Sequence, residues 1–276
     1  MCVVAVGVFA PLLAPTDPFS IDGPALEPPG AAYPMGTDAL GRDLLSGVIH
    51  GARTSMLVAL SVAVIVLVIG TGVGLVAGYR GGVVDDVLMR CTEAVQVLPR
   101  FFLALVVVAL LGPGLDRVVL VLAFTSWPLL ARVVRAEVLS MRNSDFVEAA
   151  RAYGAGGARI AVREILPNTL ASAIALTGLL GAQVIVIEAG LSFLGLGDPN
   201  LVSWGGLASE GQRYLRTAWW LSVFPGSAIL VAVLGLNLLG DALTDVVSGR
   251  RRGVRPARLR VGRALAGLRG TLSRRR

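Results

Sequence analysis

Residues 54–79 read TSMLVALSVAVIVLVIGTGVGLVAGY, a run of apolar and small residues without one charged side chain. At 1.5 Å per residue, a helix of about 20 residues crosses the ~30 Å hydrocarbon core of a bilayer. Residues 168–187 and 217–240 are uncharged runs of the same kind, and the chain of 276 residues is 55% hydrophobic and 16% charged, with a mean hydropathy of +0.75. Because a soluble domain is about a quarter charged, the sequence predicts an all-α polytopic membrane protein.

Six spans are predicted, of which the first is incomplete. Residues 2–14 are apolar but reach only about 20 Å as a helix. A secretory signal fits them less well, because no basic segment precedes them and prolines stand where a small-residue cleavage site would be. We interpret residues 1–14 as the end of a truncated first span. The five full spans are predicted at residues 54–79, 91–111, 118–134, 168–187 and 217–240.

The segments around these spans have distinct compositions. Residues 15–53 are rich in Pro, Gly and Asp and predict an extracytoplasmic loop with an interfacial segment. Residues 54–247 form the predicted membrane core domain. Residues 248–276 form a basic tail, which we expect to contact anionic lipid headgroups on the cytoplasmic side. Nucleic acid is a less suitable partner, because no aromatic residue follows Phe224.

The basic residues predict the orientation of the chain, and all 25 of them are Arg. If the loop between residues 134 and 168 faces the cytoplasm, 20 Arg lie inside and five lie outside, which the positive-inside rule favours. Without the eleven Arg of the tail the ratio is still nine to five. The five outer residues are Arg42, Arg53, Arg117, Arg213 and Arg216.

The composition also argues against catalytic and metal sites. A Walker loop grips nucleotide phosphates with a Lys, and this chain has none. His50 is the only His, and Cys2 and Cys91 are not spaced as a metal-binding pair. We therefore expect no catalytic residue, no metal site and no disulfide.

Residues 145–167, DFVEAARAYGAGGARIAVREILP, form the most informative polar stretch. Four apolar side chains recur at helical spacing and predict one face of a short helix, namely Phe146, Ala149, Ala150 and Tyr153. A helix with Ala on its exposed face lets another protein approach closely, so the stretch predicts a docking segment.

The ends of this helix also have sequence signals. Ser144 or Asp145 is expected to cap its start, with Glu148 in the first turn, where a carboxylate favours the helix dipole. Three glycines, Gly154, Gly156 and Gly157, are expected to end it and to permit positive φ angles. A second short helix follows, and Pro167 is expected to begin the fifth span.

This stretch resembles the EAA loop of binding-protein-dependent ABC importer permeases. The matching residues are Glu148, Ala149 and Ala150, then Gly154 after three residues that end in Tyr153, and Leu166 and Pro167 twelve residues later. The general pattern has an Ile two residues before Leu-Pro, where this chain has Glu164. The resemblance implies that residues 141–167 form a coupling loop whose helix docks into a groove on an ATPase subunit.

Four further segments resemble the peptide and nickel group of these permeases, of the second-subunit type. They are GTDALGRD at residues 36–43, EAGLSFLGLG at 188–197, SWG at 203–205 and NLLGD at 237–241. Taken with the EAA loop they cover residues 34–247 in the expected order. The first of them contains Asp38, Arg42 and Asp43, which are expected to form a capped turn with a local ion pair rather than a substrate site.

The resemblance implies a non-catalytic transmembrane subunit of a bacterial ABC importer in the cytoplasmic membrane. Its partners would be a homologous second permease subunit, two cytoplasmic ATPase subunits that bind ATP and Mg, and an extracytoplasmic solute-binding protein. The solute implied is a di- or oligopeptide, with nickel or another small solute as the alternative, carried by alternating access. An ion-coupled secondary transporter and a membrane-embedded enzyme are the readings from other classes.

Polar residues inside the predicted spans are candidates for lining the pathway. They are Glu93, Arg100, Gln183 and Glu188. Arg100 could instead extend to the near interface, and Glu93, Arg100 and Gln183 could each mediate helix–helix contacts. Glu188 is expected to bond to loop backbone more readily than to substrate.

Overall fold

A computed structural model describes residue 7 and residues 9–247 of the chain. In this part the regular structure is helical, and one isolated antiparallel bridge joins Thr37 to Asp43. Ten α-helices are described: α1 (Ala10–Leu13), α2 (Leu44–Arg80), α3 (Gly82–Val97), α4 (Arg100–Leu111), α5 (Leu115–Met141), α6 (Asp145–Ala152), α7 (Gly157–Ile160), α8 (Leu166–Phe193), α9 (Trp204–Gly211) and α10 (Trp220–Val247). A π-turn at Ala161–Ile165 follows α7, and a 3-10 turn at Gln212–Tyr214 follows α9.

Four stretches of helix in the described part are long and apolar enough to cross a membrane. They are Leu44–Arg80, Leu115–Met141, Gly157–Phe193 and Trp220–Asp245. Helices α3 and α4 pass the same test only as a pair and would make a fifth span. The predicted all-α membrane fold is therefore confirmed. Half of the predicted first span, residues 1–6 and 8, lies outside the described residues, and the other half contains α1.

The predicted third span, residues 91–111, is wrong as one continuous helix. Helix α3 already begins at Gly82, nine residues before the predicted start of this span. The chain then bends by 73° between α3 and α4. Leu98 and Pro99 are extended there, with ψ angles of 123° and 117°, because a proline lacks an N–H and disfavours a helical residue before it.

The remaining four spans extend beyond their predicted bounds, the last of them only at its C-terminal end. Helix α2 begins ten residues earlier, at Leu44, where an Asp43 carboxylate oxygen accepts a hydrogen bond from the Ser46 backbone N–H at 2.9 Å. His50 and Arg53, placed by prediction in the outer loop, thus belong to this helix. An uncharged run ends at the first charged residue, whereas a membrane helix continues through the interface between the lipid and water.

The close packing of α2 against α5 depends on three glycines spaced four residues apart. A Cβ at Gly70, Gly74 or Gly78 would lie 2.5–2.9 Å from atoms of α5. Small residues at this spacing let two helices approach closely within a membrane. The largest buried cluster surrounds this contact and includes Val62, Val66, Leu122, Leu130, Val134 and Val138.

Candidate functional site

The predicted apolar face of α6 points away from the body of the subunit. Tyr153 is 93% exposed and Phe146 is 44% exposed, and Ala149 is exposed with them. The residue that anchors the helix is Val147, which is fully buried in the main cluster, while Ala150 is half-buried against the same cluster. Helix α6 is thus fixed on one side and presents an uncovered, partly aromatic surface on the other.

The start of α6 differs from the prediction. Ser144 occupies the N-cap position, but its hydroxyl donates to the Met141 carbonyl oxygen at 2.6 Å and accepts nothing from the helix. Asp145 and Glu148 both lie in the first turn, as predicted, and both are exposed. The predicted side-chain cap is therefore wrong, and the acidic first turn remains as the favourable electrostatic term.

The end of α6 is a Schellman turn that requires Gly154. Gly154 has a φ of +79° and donates its N–H to the Arg151 carbonyl oxygen at 2.9 Å, while the Ala155 N–H donates to the Ala150 carbonyl oxygen at 3.0 Å. This is the pair of hydrogen bonds by which a left-handed residue closes a helix. A Cβ at Gly154 would meet no atom within 4 Å, so the backbone angle alone demands glycine.

The two other glycines of this turn do not have positive φ, so that part of the prediction is wrong. Gly156 has a φ of −68°. Gly157 begins α7, and a Cβ there would lie 3.3 Å from the ring of Tyr79 at the end of α2. Gly157 thus allows close packing against Tyr79, and of the three glycines only Gly154 turns the chain through a positive φ angle.

The second short helix is continuous with the fifth span, contrary to the prediction that the span begins at Pro167. The π-turn Ala161–Ile165 joins α7 to α8, so helix runs from Gly157 to Phe193. Pro167 lies in the first turn of α8 and Leu166 is half-buried against the core. A π-turn tolerates the missing N–H of a proline because it already departs from the regular hydrogen-bond pattern.

Two arginines connect α6 to the helices above it. The Arg151 guanidinium donates to the Arg142 carbonyl oxygen at 3.2 Å, and the Arg142 guanidinium reaches the Gly78 carbonyl oxygen of α2 at 3.5 Å. A shift of α6 would therefore reach the ends of α5 and α2 directly.

An ion pair close by was missed by sequence reasoning. Asp85 of α3 is buried and accepts two hydrogen bonds from the Arg135 guanidinium of α5, at 2.5 and 2.6 Å. A bidentate pair of this kind fixes the relative orientation of two side chains. The residues are 50 positions apart, and the only sequence signal was an Asp and an Arg within stretches that turned out to be helical.

The four polar pathway candidates do not form one cluster. Arg100 and Gln183 come together, with the Arg100 guanidinium 3.4 Å from the Gln183 amide oxygen. Glu93 is exposed on α3, on the other side of the bend, and has no hydrogen-bond partner among the described residues. Gln183 is exposed on this subunit and Arg100 is half-buried.

Glu188 differs from the other three because it is only 4% exposed. Its carboxylate accepts hydrogen bonds from the hydroxyls of Ser192 at 2.8 Å and Ser55 at 3.1 Å. The predicted bond to loop backbone is wrong, since these partners are side chains of α8 and α2. Glu188 thus joins two helices in a closed interface.

The outer GTDALGRD segment forms the predicted capped turn. An Asp38 carboxylate oxygen accepts hydrogen bonds from the Leu40 and Arg42 N–H groups, each at 2.8 Å, and Arg42 forms a 4.0 Å ion pair with the same carboxylate. The Arg42 guanidinium lies 5.6 Å above the ring of Phe19. Facing this turn is Glu210 of α9, whose pKa is raised by burial and by the Asp38 charge.

The SWG segment positions α9 on α2. The Trp204 indole N–H donates to the Val48 carbonyl oxygen at 2.8 Å, and the ring lies so close to Gly51 that a Cβ there would be 2.7 Å from it. The NLLGD segment has a similar packing role, because a Cβ at Gly240 would lie 2.9 Å from Leu179 of α8. These motifs bring helices together at both ends of the membrane core.

Comparison with known proteins gives a consistent set of relatives. Residues 70–253 match the family described as "Binding-protein-dependent transport system inner membrane component". A di/tripeptide transport system permease protein of Pseudomonas aeruginosa is 40% identical over 255 residues, covering 90% of this chain and 84% of its own length. A dipeptide transport system permease protein of Bacillus subtilis is 38% identical over 227 residues, covering 82% of this chain and 71% of its own length.

The fold is found again in a solved structure. A chain of the MetNI methionine ABC transporter, solved in inward-facing conformations, superposes with a TM-score of 0.58. The match covers 74% of this chain and 97% of that chain, at 19% sequence identity. The helices described above thus have the same fold as that chain.

Proposed function

Since this chain belongs to the family of binding-protein-dependent transport system inner membrane components, we propose that it forms half of the pathway through which an ATP-driven importer moves di- and oligopeptides into the cytoplasm. A homologous second permease subunit supplies the other half. Two cytoplasmic ATPase subunits bind ATP and Mg, so this chain itself needs no cofactor, and an extracytoplasmic binding protein delivers the peptide.

The observation that carries this proposal is the uncovered surface of α6. Phe146, Ala149 and Tyr153 present an apolar and aromatic face to solvent on a helix whose opposite side is locked by Val147. A helix that lays an apolar face into a groove is a common way for proteins to recognise each other. The same helix contains the Glu148-Ala149-Ala150 segment that resembles the EAA loop, and we assign it the ATPase groove as its partner.

The contacts of α6 support a mechanism for coupling. When the ATPases close on ATP, they move α6, and the Arg151–Arg142–Gly78 contacts transmit that shift to α5 and α2. The continuous helix from Gly157 to Phe193 transmits it along the fifth span. The pathway then alternates between inward and outward access, while Glu188 holds α2 and α8 together near the outer side.

The solute class rests on the relatives, whose names describe permeases for dipeptides, di- and tripeptides and other peptides. Nickel or another small solute in the same type of complex is the alternative. In such systems the binding protein, which is a separate chain, determines most of the solute specificity. An ion-coupled secondary transporter is a different class and is distinguished by its subunit composition.

The test is purification of the full-length tagged chain from its own membrane, with the co-eluting subunits identified by mass spectrometry. We expect a second permease and ATPase subunits to co-purify. Ala149→Arg, on the exposed face of α6, should lose the ATPases, whereas Ala158→Arg, at an exposed position of α7, should retain them. A chain that elutes alone, or that retains its ATPases equally well in both variants, would contradict the proposal.

A further inference from the structure

Arg100 is the first residue of α4, a helix of 12 residues whose other eleven side chains are all apolar. Helices α3 and α4 would together form the fifth span. Gln183, which Arg100 contacts, lies in the continuous helix Gly157–Phe193, which is also long and apolar enough to cross a membrane. Both residues therefore belong to segments that can span the membrane.

The Arg100 guanidinium has no ion-pair partner among the described residues. Its one described hydrogen bond is the 3.4 Å contact with the neutral amide of Gln183. A charged side chain inside a membrane-spanning segment is costly unless it faces water or an anion, so we expect an anion or a water-filled path beside Arg100.

The chemistry of the pair favours a carboxylate. An arginine has five N–H donors in a planar fork that matches the two oxygens of a carboxylate, and the amide of Gln183 keeps its two N–H donors while its oxygen faces Arg100. Both residues are accessible on the surface of this subunit, Gln183 more so than Arg100. The same cation would repel a divalent metal ion such as nickel.

We propose that Arg100 and Gln183 form a transient binding site for the C-terminal carboxylate of a peptide as it crosses the membrane. The site rests on the proposed transport function and adds to it a point in the pathway where an anionic group is held. It orients the peptide, because only one end of a dipeptide carries that charge. Glu93, beyond the bend, is not part of it.

The test uses the reconstituted complete complex and two probes, dialanine and its C-terminal amide, which lacks the negative charge. For each probe the uptake of a variant is divided by that of the wild type, so the preference of the binding protein cancels. Arg100→Gln should lower dialanine uptake at least tenfold and uptake of the amide less than twofold, with ATP hydrolysis unchanged. Arg100→Lys should retain a substantial part of dialanine uptake, because it keeps the charge.

Two controls separate the site from a structural role. Gln183→Glu places a carboxylate next to the guanidinium and should reduce dialanine uptake as strongly as Arg100→Gln does. Arg90→Gln, at an exposed position of α3, should change neither probe. If Arg100→Gln reduces the uptake of both probes equally, Arg100 contacts the second permease or serves folding. If it reduces the uptake of neither probe, Arg100 faces lipid or water. Either result would overturn the proposed carboxylate site. A wild-type complex that fails to transport dialanine would instead refute the proposed function.

Discussion

Replacing Gly154 with valine should uncouple ATP hydrolysis from transport without removing the protein from the membrane. Gly154 ends α6 with a φ of +79°, and an L-residue in the left-handed region costs about 1–2 kcal/mol, with a β-branched side chain at the upper end. The added side chain meets no neighbour within 4 Å, so the cost is backbone strain alone. The chain can relieve it only by giving up the two hydrogen bonds that close the helix.

Loss of that closure moves the docking surface. The hydrogen bond from Ala155 to Ala150 holds the end of α6 against the core, and without it Tyr153 changes position. Since 1–2 kcal/mol corresponds to a factor of about 5–30 in an equilibrium, we expect Gly154→Val to lower the peptide transported per ATP hydrolysed by at least about fivefold. Gly154→Asn should lower this ratio less than Gly154→Val does, because Asn tolerates positive φ better than Val does.

The assay is peptide uptake and ATP hydrolysis by the complex in proteoliposomes, with retention of the ATPases on a column as a second readout. The matched control is Gly156→Val, because Gly156 has a φ of −68° and also has open space around its Cβ position. If Gly154→Val and Gly156→Val transport the same amount of peptide per ATP hydrolysed, the positive φ of Gly154 does not control the docking of α6.

Four further predictions concern other parts of the molecule. Asp85→Asn or Arg135→Gln should each destabilise the subunit by about 1.5–3 kcal/mol, and the exchange of the two residues should recover much of the loss in thermal unfolding; equal losses in the single and exchanged variants would contradict the pairing. A reporter fused after Arg250 should report cytoplasm and one inserted near Asn200 the opposite side, and the same side for both would reject the topology. The purified chain without partners should show no ATP hydrolysis, because it has no Lys to hold nucleotide phosphates; vanadate-sensitive turnover would show otherwise. Burial raises the pKa of Glu210, so the folded state favours its protonated form and loses stability as the pH rises from about 4 through that pKa. Glu210→Gln should therefore have a higher melting temperature than the wild type at pH 7 and the same melting temperature at pH 4. A difference in melting temperature that does not change with pH would exclude this cause.

Local sequence patterns predicted the membrane helices and the docking helix, because both depend on neighbours along the chain. The spacing of Phe146, Ala149 and Tyr153 identified one face of α6 before its exposure was known. The same spacing did not show which side is buried, since Val147 lies outside the predicted face and is fully buried, while Ala150 of that face is half-buried. Pro99 was visible in the sequence, but its effect depended on whether a helix would continue through it, and the structure shows a bend of 73°.

The contacts that hold the membrane helices together could not be predicted, because they join residues far apart in the chain. Ser55 and Glu188 are 133 positions apart, and Asp85 and Arg135 are 50 apart. No periodicity of 2 or 3.6 residues reports such pairs. The glycines at positions 70, 74 and 78 were readable as a stripe of small residues, yet their partner helix became known only from the fold.

We propose that this chain is a membrane subunit that couples peptide import to ATP hydrolysis by its partner subunits. The most direct measurement is uptake of labelled dialanine into proteoliposomes that contain the second permease, the ATPases and the loaded binding protein, with and without this chain. We predict ATP-dependent uptake only when this chain is present. Equal uptake without it, or uptake that follows an ion gradient and ignores ATP, would contradict the account.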